Sequence, residues 1–358
     1  MKRVLIISGG TGGHIFPALE IARALRYQGI SVYWLGTVNG LEKKLVSHEF
    51  PLQLIQIRTY RNQGLIRSLF MPFYLVRAIF QSYRIIKKIK PKMILGMGGY
   101  VSGPGGFVAW INRIPMIIHE QNVISGLTNR LLARTARSVL QAFPGAFSDR
   151  NNVKTTGNPI RSELLNTPLP RIRLMGRRGP LRVLILGGSQ GSYSINQKIV
   201  ETLRNYPHSR ELTIWHQTGL SDFERTKDSY NTFKTLSFEI RLDAFIDDMC
   251  KAYTWSDLVV CRSGALTVSE IISVGVASIF IPYPYATDNH QFHNGRLLEQ
   301  KGAAIIISEK SLTNRCLVHY FKRFFRDRGL LLVMSECARN LSKRGAVQNI
   351  VNECKRIL

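Results

Sequence analysis

The stretch VLIISGGTGGHIFPALEIARAL, residues 4–25, decides the fold. Val4–Ser8 is an apolar run of strand length, Gly9–His14 a glycine-rich loop, and from about Phe16 to Tyr27 the pattern turns helical, ending at Gly29. Ala18, Leu19, Ala22 and Leu25 recur at helical spacing, and Pro17 suits a first helical turn, where a missing N–H costs nothing. Strand, glycine turn, helix is the opening of a βαβ unit whose backbone can approach a phosphate closely. The same grammar returns at strand Arg182–Leu186, loop Gly187–Ser192 and a helix over about Ile195–Asn205. Gly9, Gly10 and Gly13 map onto Gly187, Gly188 and Gly191 at one constant offset, about half the length of the chain. Two domains of one kind are therefore expected.

Further short apolar runs fit parallel strands alternating with helices: Ser31–Gly36, Met93–Gly96, Pro115–His119, Leu212–Gln217, Leu258–Cys261, Ser278–Pro282 and Ala303–Ser308. The domains are expected at 1–159 and 160–340, joined near Gly157-Asn158-Pro159, with basic Leu169–Pro180 as a surface loop or linker. The tail, 341–358, carries Ala346, Ile350, Cys354 and Leu358 at i, i+4 spacing, a helix that needs something to pack on. Met93–Asn112 carries no charge, but its glycines and Pro104 make it a poor membrane-spanning helix. Five cysteines, none before Cys250, with no close pairing and no secretory segment after Met1, read as a reduced cytosolic chain without a zinc site.

Lys plus Arg number 49 against 23 Asp plus Glu, a net charge of +26, so an anionic partner is expected. The half Met1–Ile160 holds 21 basic and 5 acidic side chains, and Phe50–His119 holds ten basic and no acidic ones. Within that segment Val76, Ile79, Phe80, Tyr83 and Ile86 share one helical face, flanked by Arg77, Arg84 and Lys88, while Phe70 and Phe73 add bulk around Pro72. A basic, amphipathic, aromatic-bearing helix suits an anionic membrane surface; the bland alternative is a helix packed on the sheet with its bases in water. One helix can do both. A nucleic-acid binder would interleave its bases with stacking aromatics, and here the aromatics lie on an apolar face instead.

Three glycine-bearing turns precede helices: Gly9–His14, Gly187–Gly191 and Arg262–Ala265. They point to a ligand rich in phosphate, although tight helix–strand packing also selects glycine. No Gly-x-Gly-x-x-Gly follows the first strand, no acid ends the second, and no GxxxxGK[ST] occurs, which disfavours a dehydrogenase or a P-loop ATPase. Glu270 lies early in the helix opened by Ala265, where a carboxylate can accept from ribose hydroxyls or simply complement the helix dipole. His14 reads as a base facing a ligand or as a structural hydrogen-bonder. His119-Glu120-Gln121-Asn122 ends a strand with four polar side chains, at the end of a parallel sheet where ligands gather. Arg161 follows the domain join, and Asp288-Asn289-His290-Gln291 forms another polar cluster.

Several stretches resemble the MurG family of UDP-N-acetylglucosamine transferases: GGTGGHIFPALEIA (9–22), GGYVSGPGG (98–106), HEQN (119–122), GLTN (126–129), GNPIR (157–161), GGSQGS (187–192), FIDDM (245–249), VVCRSGALTVSE (259–270) and DNHQ (288–291). The resemblance implies an α/β, GT-B fold, two Rossmann-like domains with parallel sheets facing a cleft, the C-terminal helix returning to the first domain. It implies an inverting hexosyltransferase that moves GlcNAc from UDP-GlcNAc to lipid I, giving lipid II in peptidoglycan synthesis. Carried over by motif, donor contacts fall on Thr11, Gly12, Gly13, Asn122, Arg161, Ser189, Ile246, Ala265, Leu266, Thr267, Val268, Ser269, Glu270 and Gln291. Glu270 holds the ribose, and Ile246 meets uracil through its backbone. The acceptor hydroxyl needs a base, for which His14 is the candidate, with Glu120 and Asn122 as alternatives. No metal and no cofactor are expected, and fixed dipoles take the place of a cation. The implied setting is peripheral, on the cytoplasmic face of the bacterial inner membrane, beside anionic phospholipid and other cell-wall synthesis and division proteins, with no nucleic acid. A UDP-GlcNAc 2-epimerase-like enzyme shares the fold, but has no use for the acid-free basic stretch.

Overall fold

The computed structural model describes residues 2–57, 71–147, 152–188, 191–233 and 238–358. The chain divides into two compact units: Met1–Ile160 with Gly345–Leu358, and Arg161–Arg344. Each is built on a wholly parallel sheet with helices on its faces.

In the first unit β1 (Arg3–Ile7), β2 (Ser31–Thr37), β3 (Leu52–Ile55), β4 (Met93–Gly96), β5 (Met116–Glu120), β6 (Ser138–Gln141) and β7 (Val153–Thr155) lie in the order β3-β2-β1-β4-β5-β6-β7. The order reverses between β1 and β4, and the glycine loops after both strands stand at that switch point, where parallel α/β sheets take their ligands. In the second unit β8 (Leu181–Leu186), β9 (Leu212–Gln217), β10 (Glu239–Asp243), β11 (Leu258–Cys261), β12 (Ala277–Phe280) and β13 (Ala304–Ile306) run β10-β9-β8-β11-β12-β13. Here the reversal falls between β8 and β11, again the two strands that carry glycine turns.

Local differences from the sequence reading have physical causes. The first helix is Gly12–Tyr27, starting a turn earlier than expected, because His14 and Ile15 N–H groups both bond the Thr11 carbonyl. Pro17 is therefore inside the helix, not in its first turn, and His14 belongs to that turn. The short strands β3, β6, β7 and β10 give weak apolar runs and lie outside the expected set. Leu169–Pro180 is not merely a surface linker: Pro170–Leu174 is a helical turn whose Arg173, buried, donates to the Tyr253 and Ser256 carbonyls. Burial lowers that guanidinium to about 10.

The tail helix Ala346–Ile357 finds its partner in the first unit. Ile350, Val351 and Cys354 are fully buried in one cluster with Ala18, Leu25 and Met93, each large apolar side chain there contributing about 1.5–3 kcal/mol. Glu353 adds ion pairs to Lys154 (2.7 Å) and Arg356 (2.6 Å), and the Arg356 and Lys154 hydrogen bonds hold its carboxyl down at about 2.

Helix Met71–Ile89 divides its apolar residues between two faces. Ala78, Ser82, Ile86 and Ile89 turn inward, the small pair letting the helix approach the sheet, and Ile79 packs beside them. Val76 (64% exposed), Phe80 (53%) and Phe73 (66%) face outward with exposed Arg77, Arg84 and Lys88. The single face expected over Val76, Ile79, Phe80, Tyr83 and Ile86 is thus split, with Ile79 and Ile86 given to the core. Arg84 lies 4.4 Å over the Phe80 ring. Phe70 lies outside the described residues. Beside this helix, Ser102–Ile111 exposes Phe107, Trp110 and Ile111, and Leu127–Leu132 exposes Leu127 and Leu131, residues the sequence reading did not single out. A cavity of about 490 Å³ next to Trp110 and Ile111 is rimmed by Arg113 and Arg137.

Candidate functional site

In the first unit the loop after β1 is held from three directions. Gly99, with positive φ, packs on the Gly9 carbonyl so closely that a Cβ there would stand 2.6 Å from the oxygen. Glu42 accepts from Gly10 N–H (3.1 Å) beneath it. His14 bonds Gln121 at 2.9 Å.

That last bond belongs to a chain that fixes protons. Gln121 Nε2 donates to the Met97 carbonyl (3.0 Å) and to His119 Nδ1 (3.2 Å), which turns Oε1 toward His14. An amide oxygen only accepts, so His14 Nδ1 carries a hydrogen, and in the neutral ring the lone pair then falls on Nε2. His119 Nε2 in turn donates to the Gly157 carbonyl at 3.1 Å. Burial pushes the His119 imidazole down to about 4, keeping it neutral in this relay. His14 Nε2 has no hydrogen-bond partner among the described residues, and the side chain is half-buried.

Glu120, named as an alternative base, has both oxygens engaged. Oε1 accepts from Asn122 N–H and Nδ2, each at 3.0 Å, and Oε2 from Gly126 N–H (3.1 Å) and Asn129 Nδ2 (2.9 Å). It shapes loop 122–129 and has little left for proton transfer. Asn122, the other alternative, gives both of those donors to Glu120.

In the second unit Ser189 lies outside the described residues. Gly191 (φ +82°) closes that turn, and a Cβ there would come 2.6 Å from the Thr218 carbonyl oxygen. Arg262, from the turn after β11, ties the neighbouring segments together: it donates to Ser192 and Ser194 hydroxyls (2.9 Å each), to the Ile281 and Pro282 carbonyls, and pairs with Glu309.

Helix Ala265–Val274 starts beside it, its first amides directed at the switch point and Gly275 closing it in the left-handed region. Ala265, Val268 and Ser269 are buried, with Leu266 and Thr267 partly exposed at its start. Glu270 is 8% exposed; its Oε2 accepts from the Tyr253 hydroxyl at 2.9 Å, leaving Oε1 without a partner among the described residues. Burial raises the Glu270 carboxyl above the ordinary range, against the Tyr253 hydrogen bond and the nearby Arg161 guanidinium, which lower it. Arg161 Nη1 donates to the Asp247 carbonyl (3.0 Å), next to Ile246. Ile246 is buried, and its N–H goes to Gln217 Oε1 at 2.9 Å. Gln291 Oε1 accepts Tyr283 N–H (2.9 Å) and its carbonyl accepts from Ser263. The first unit thus gathers Thr11–His14 with His119–Asn122, and the second gathers Arg161, Ile246, Ala265–Glu270 and Gln291.

The model of the glycosyltransferase family 28 N-terminal domain matches residues 4–141, and that of the family's C-terminal domain matches residues 182–350. A protein of Coxiella burnetii (strain RSA 493 / Nine Mile phase I), named UDP-N-acetylglucosamine–N-acetylmuramyl-(pentapeptide) pyrophosphoryl-undecaprenol N-acetylglucosamine transferase, is 60% identical over 99% of both chains. The chain belongs to the MurG family within glycosyltransferase family 28. A protein of the same name from Marinobacter nauticus is 42% identical, covering 99% of this chain and 97% of that one. The crystal structure of Acinetobacter baumannii MurG matches with a TM-score of 0.85 and 37% identity, covering 99% of this chain and all of that one. UDP-GlcNAc 2-epimerase from Neisseria meningitidis has a TM-score of 0.65 at 14% identity over 99% of this chain and 100% of its own, a likeness of fold alone.

Sequence reasoning passed over several residues that organise this MurG-family site. Gln121 and Asn129 lie in motifs that give them no individual role, and Gln217, Tyr253 and Glu42 lie outside the expected site. Gln217 had a signal: with His216 it ends its strand on two polar side chains, as His119-Glu120-Gln121-Asn122 ends another. Tyr253 and Glu42 had none, since Tyr253 meets Glu270 and Glu42 meets Gly10 across turns that no periodicity traces.

Proposed function

We propose that the protein is an inverting glycosyltransferase that moves GlcNAc from UDP-GlcNAc to the 4-hydroxyl of MurNAc in lipid I, forming lipid II for peptidoglycan synthesis. The names of its full-length relatives support the substrates. The observation within the molecule that carries the chemistry is the relay Gly157–His119–Gln121–His14, which leaves a basic nitrogen aimed away from its supports.

In this reading His14 Nε2 takes the proton of the acceptor hydroxyl as its oxygen attacks the anomeric carbon from the face opposite UDP, turning α into β. Gln121 then bonds the Nδ1–H of the imidazolium and keeps the ring oriented. UDP leaves as an anion, met by the amides of Ala265–Thr267 and by Arg161. Thr11, Gly12 and Gly13 offer further amides to the donor, as does the loop that holds Ser189. Glu270 Oε1 accepts from the ribose, Ile246 meets uracil through its backbone, and Asn122 and Gln291 complete the donor contacts.

The acceptor is lipid-linked, which gives the outward face of Phe73, Val76, Arg77, Phe80, Arg84 and Lys88 a purpose. In our reading it rests on anionic phospholipid at the cytoplasmic side of the inner membrane, with Trp110, Ile111 and Leu131 extending the apolar contact. Other cell-wall synthesis and division proteins are its expected neighbours there. Among the described residues no helix is long and apolar enough to cross a membrane.

The deciding experiment supplies radiolabelled UDP-GlcNAc and a short-chain lipid I analogue. Label moving into the lipid fraction supports the proposal. Conversion of UDP-GlcNAc to UDP-ManNAc without an acceptor would assign the chain to the epimerases instead.

A further inference from the structure

We propose that Glu42 is a positioning residue for His14: it fixes the loop after β1 and so sets where the first helix, and its imidazole, stand. The proposal deepens the reading above and rests on the role given there to His14.

The half Met1–Ile160 contains only five carboxylate side chains, and among the described ones Glu42 and Glu120 are buried, at 0% and 2% exposure. Each holds a loop that follows a strand of the first unit. Glu42 Oε1 gathers three donors: Gly10 N–H (3.1 Å), Thr37 N–H (3.0 Å) and the Thr37 hydroxyl (3.0 Å). One oxygen therefore ties the end of β2 to the turn after β1. Oε2 is buried with no hydrogen-bond partner among the described residues. Three glycines make room for the group, since a Cβ on Gly9, Gly36 or Gly40 would strike its side chain.

A buried carboxylate without a cation is costly unless donors surround it, and its field opposes an anion nearby. A loop that only had to seat phosphate would gain nothing from it. What the carboxylate does provide is direction. Gly10, in the positive-φ region (+96°), turns its N–H back toward Glu42. The chain then leaves for Thr11 and the helix starting at Gly12, whose first turn carries His14. With Gly10 released, helix start and imidazole would shift together, and a displacement of about 1 Å can cost about 100-fold in turnover.

The test compares full-length Glu42→Ala and Glu42→Gln with the unmodified protein by transfer kinetics, UDP affinity by calorimetry, and thermal unfolding. Glu42→Ala should lower kcat about 10- to 100-fold. UDP should bind with unchanged stoichiometry and weaken by no more than about fivefold, because Arg161, Ile246, Ala265–Thr267 and Glu270 belong to the other unit and only the amides of Thr11–Gly13 are displaced. Glu42→Gln keeps an accepting oxygen and should recover turnover to within about threefold. Should Glu42→Ala not fold, Gly40→Ala displaces the same carboxylate and should show the same loss of kcat. Normal turnover in these variants overturns the proposal. So does equal impairment of Glu42→Gln and Glu42→Ala, which would make charge and not the accepting oxygen decisive, or activity lost in step with UDP-binding sites. Failure of the parent reading is seen separately, as absence of transfer by the unmodified protein.

Discussion

Removing the imidazole of His14 bears most directly on the proposed chemistry. His14→Ala should lower kcat by about 100-fold or more with UDP affinity unchanged; turnover near normal would leave His14 a structural partner of Gln121. Gln121→Glu is subtler. A carboxylate cannot donate to the Met97 carbonyl or His119 Nδ1, so the relay loses its proton order while its shape survives. Glu270→Ala should raise the KM for UDP-GlcNAc about tenfold or more and leave that for the acceptor within about twofold, as expected for a lost hydrogen bond to a charged group; equal changes in both would count against a ribose contact. At this scale the sequence was partly legible. Glu270 and His14 stood out because each sits near the opening of a helix after a glycine turn. The occupied state of Glu120 was hidden, because two of its four donors come from Gly126 and Asn129, across a loop whose path no periodicity reveals.

Among the elements, helix Met71–Ile89 carries the clearest consequence. Its inward seam, Ala78-Ser82-Ile86, is narrow, and the outward side keeps aromatic and basic groups that do nothing for the core. Reversing Arg77, Arg84 and Lys88 to Glu should abolish binding to vesicles rich in phosphatidylglycerol without altering the melting temperature by more than about 2 °C, since all three are exposed. Cosedimentation measures it, and undiminished binding would reject this face. The sequence announced the helix and its charges through a long acid-free run. It could not divide Ile79 and Ile86 from Phe80 and Tyr83, because a helical wheel gives an angle and not the direction of the sheet. Strands such as β1 and β4 followed from apolar runs beside glycine turns, whereas β7 and β10, each with exposed positions, offered no contrast to read.

For the molecule as a whole, two buried imidazoles set the response to acid. Burial holds His119 at about 4 and His216 at about 3, below the ordinary 6.5 of an exposed histidine. Between those values the unfolded chain binds more protons than the folded one. Their stabilisation is complete above about 6.5 and diminishes as the pH falls through that window, by a few kcal/mol in all. Denaturant midpoints measured from about pH 7 down to about pH 4.5 should therefore decline steadily, and His216→Asn should flatten part of the slope; a level profile in the unmodified protein would contradict the burial argument. The recurrence of one glycine turn, at Gly9–Gly13 and again at Gly187–Gly191, exposed the twofold plan because both units needed it at the same topological position. The destination of the tail was beyond local pattern, which says that a face must be covered and not by what.

That tail has a consequence for biosynthesis. Ile350, Val351 and Cys354 complete a hydrophobic layer begun by Ala18 and Leu25 at the far end of the chain. The ribosome therefore delivers the second unit whole before the first has its last wall. During translation the amino-terminal half waits with a greasy seam open, a natural target for chaperones, and a nonsense codon near position 345 would strand it in that state despite sparing every residue assigned to substrate.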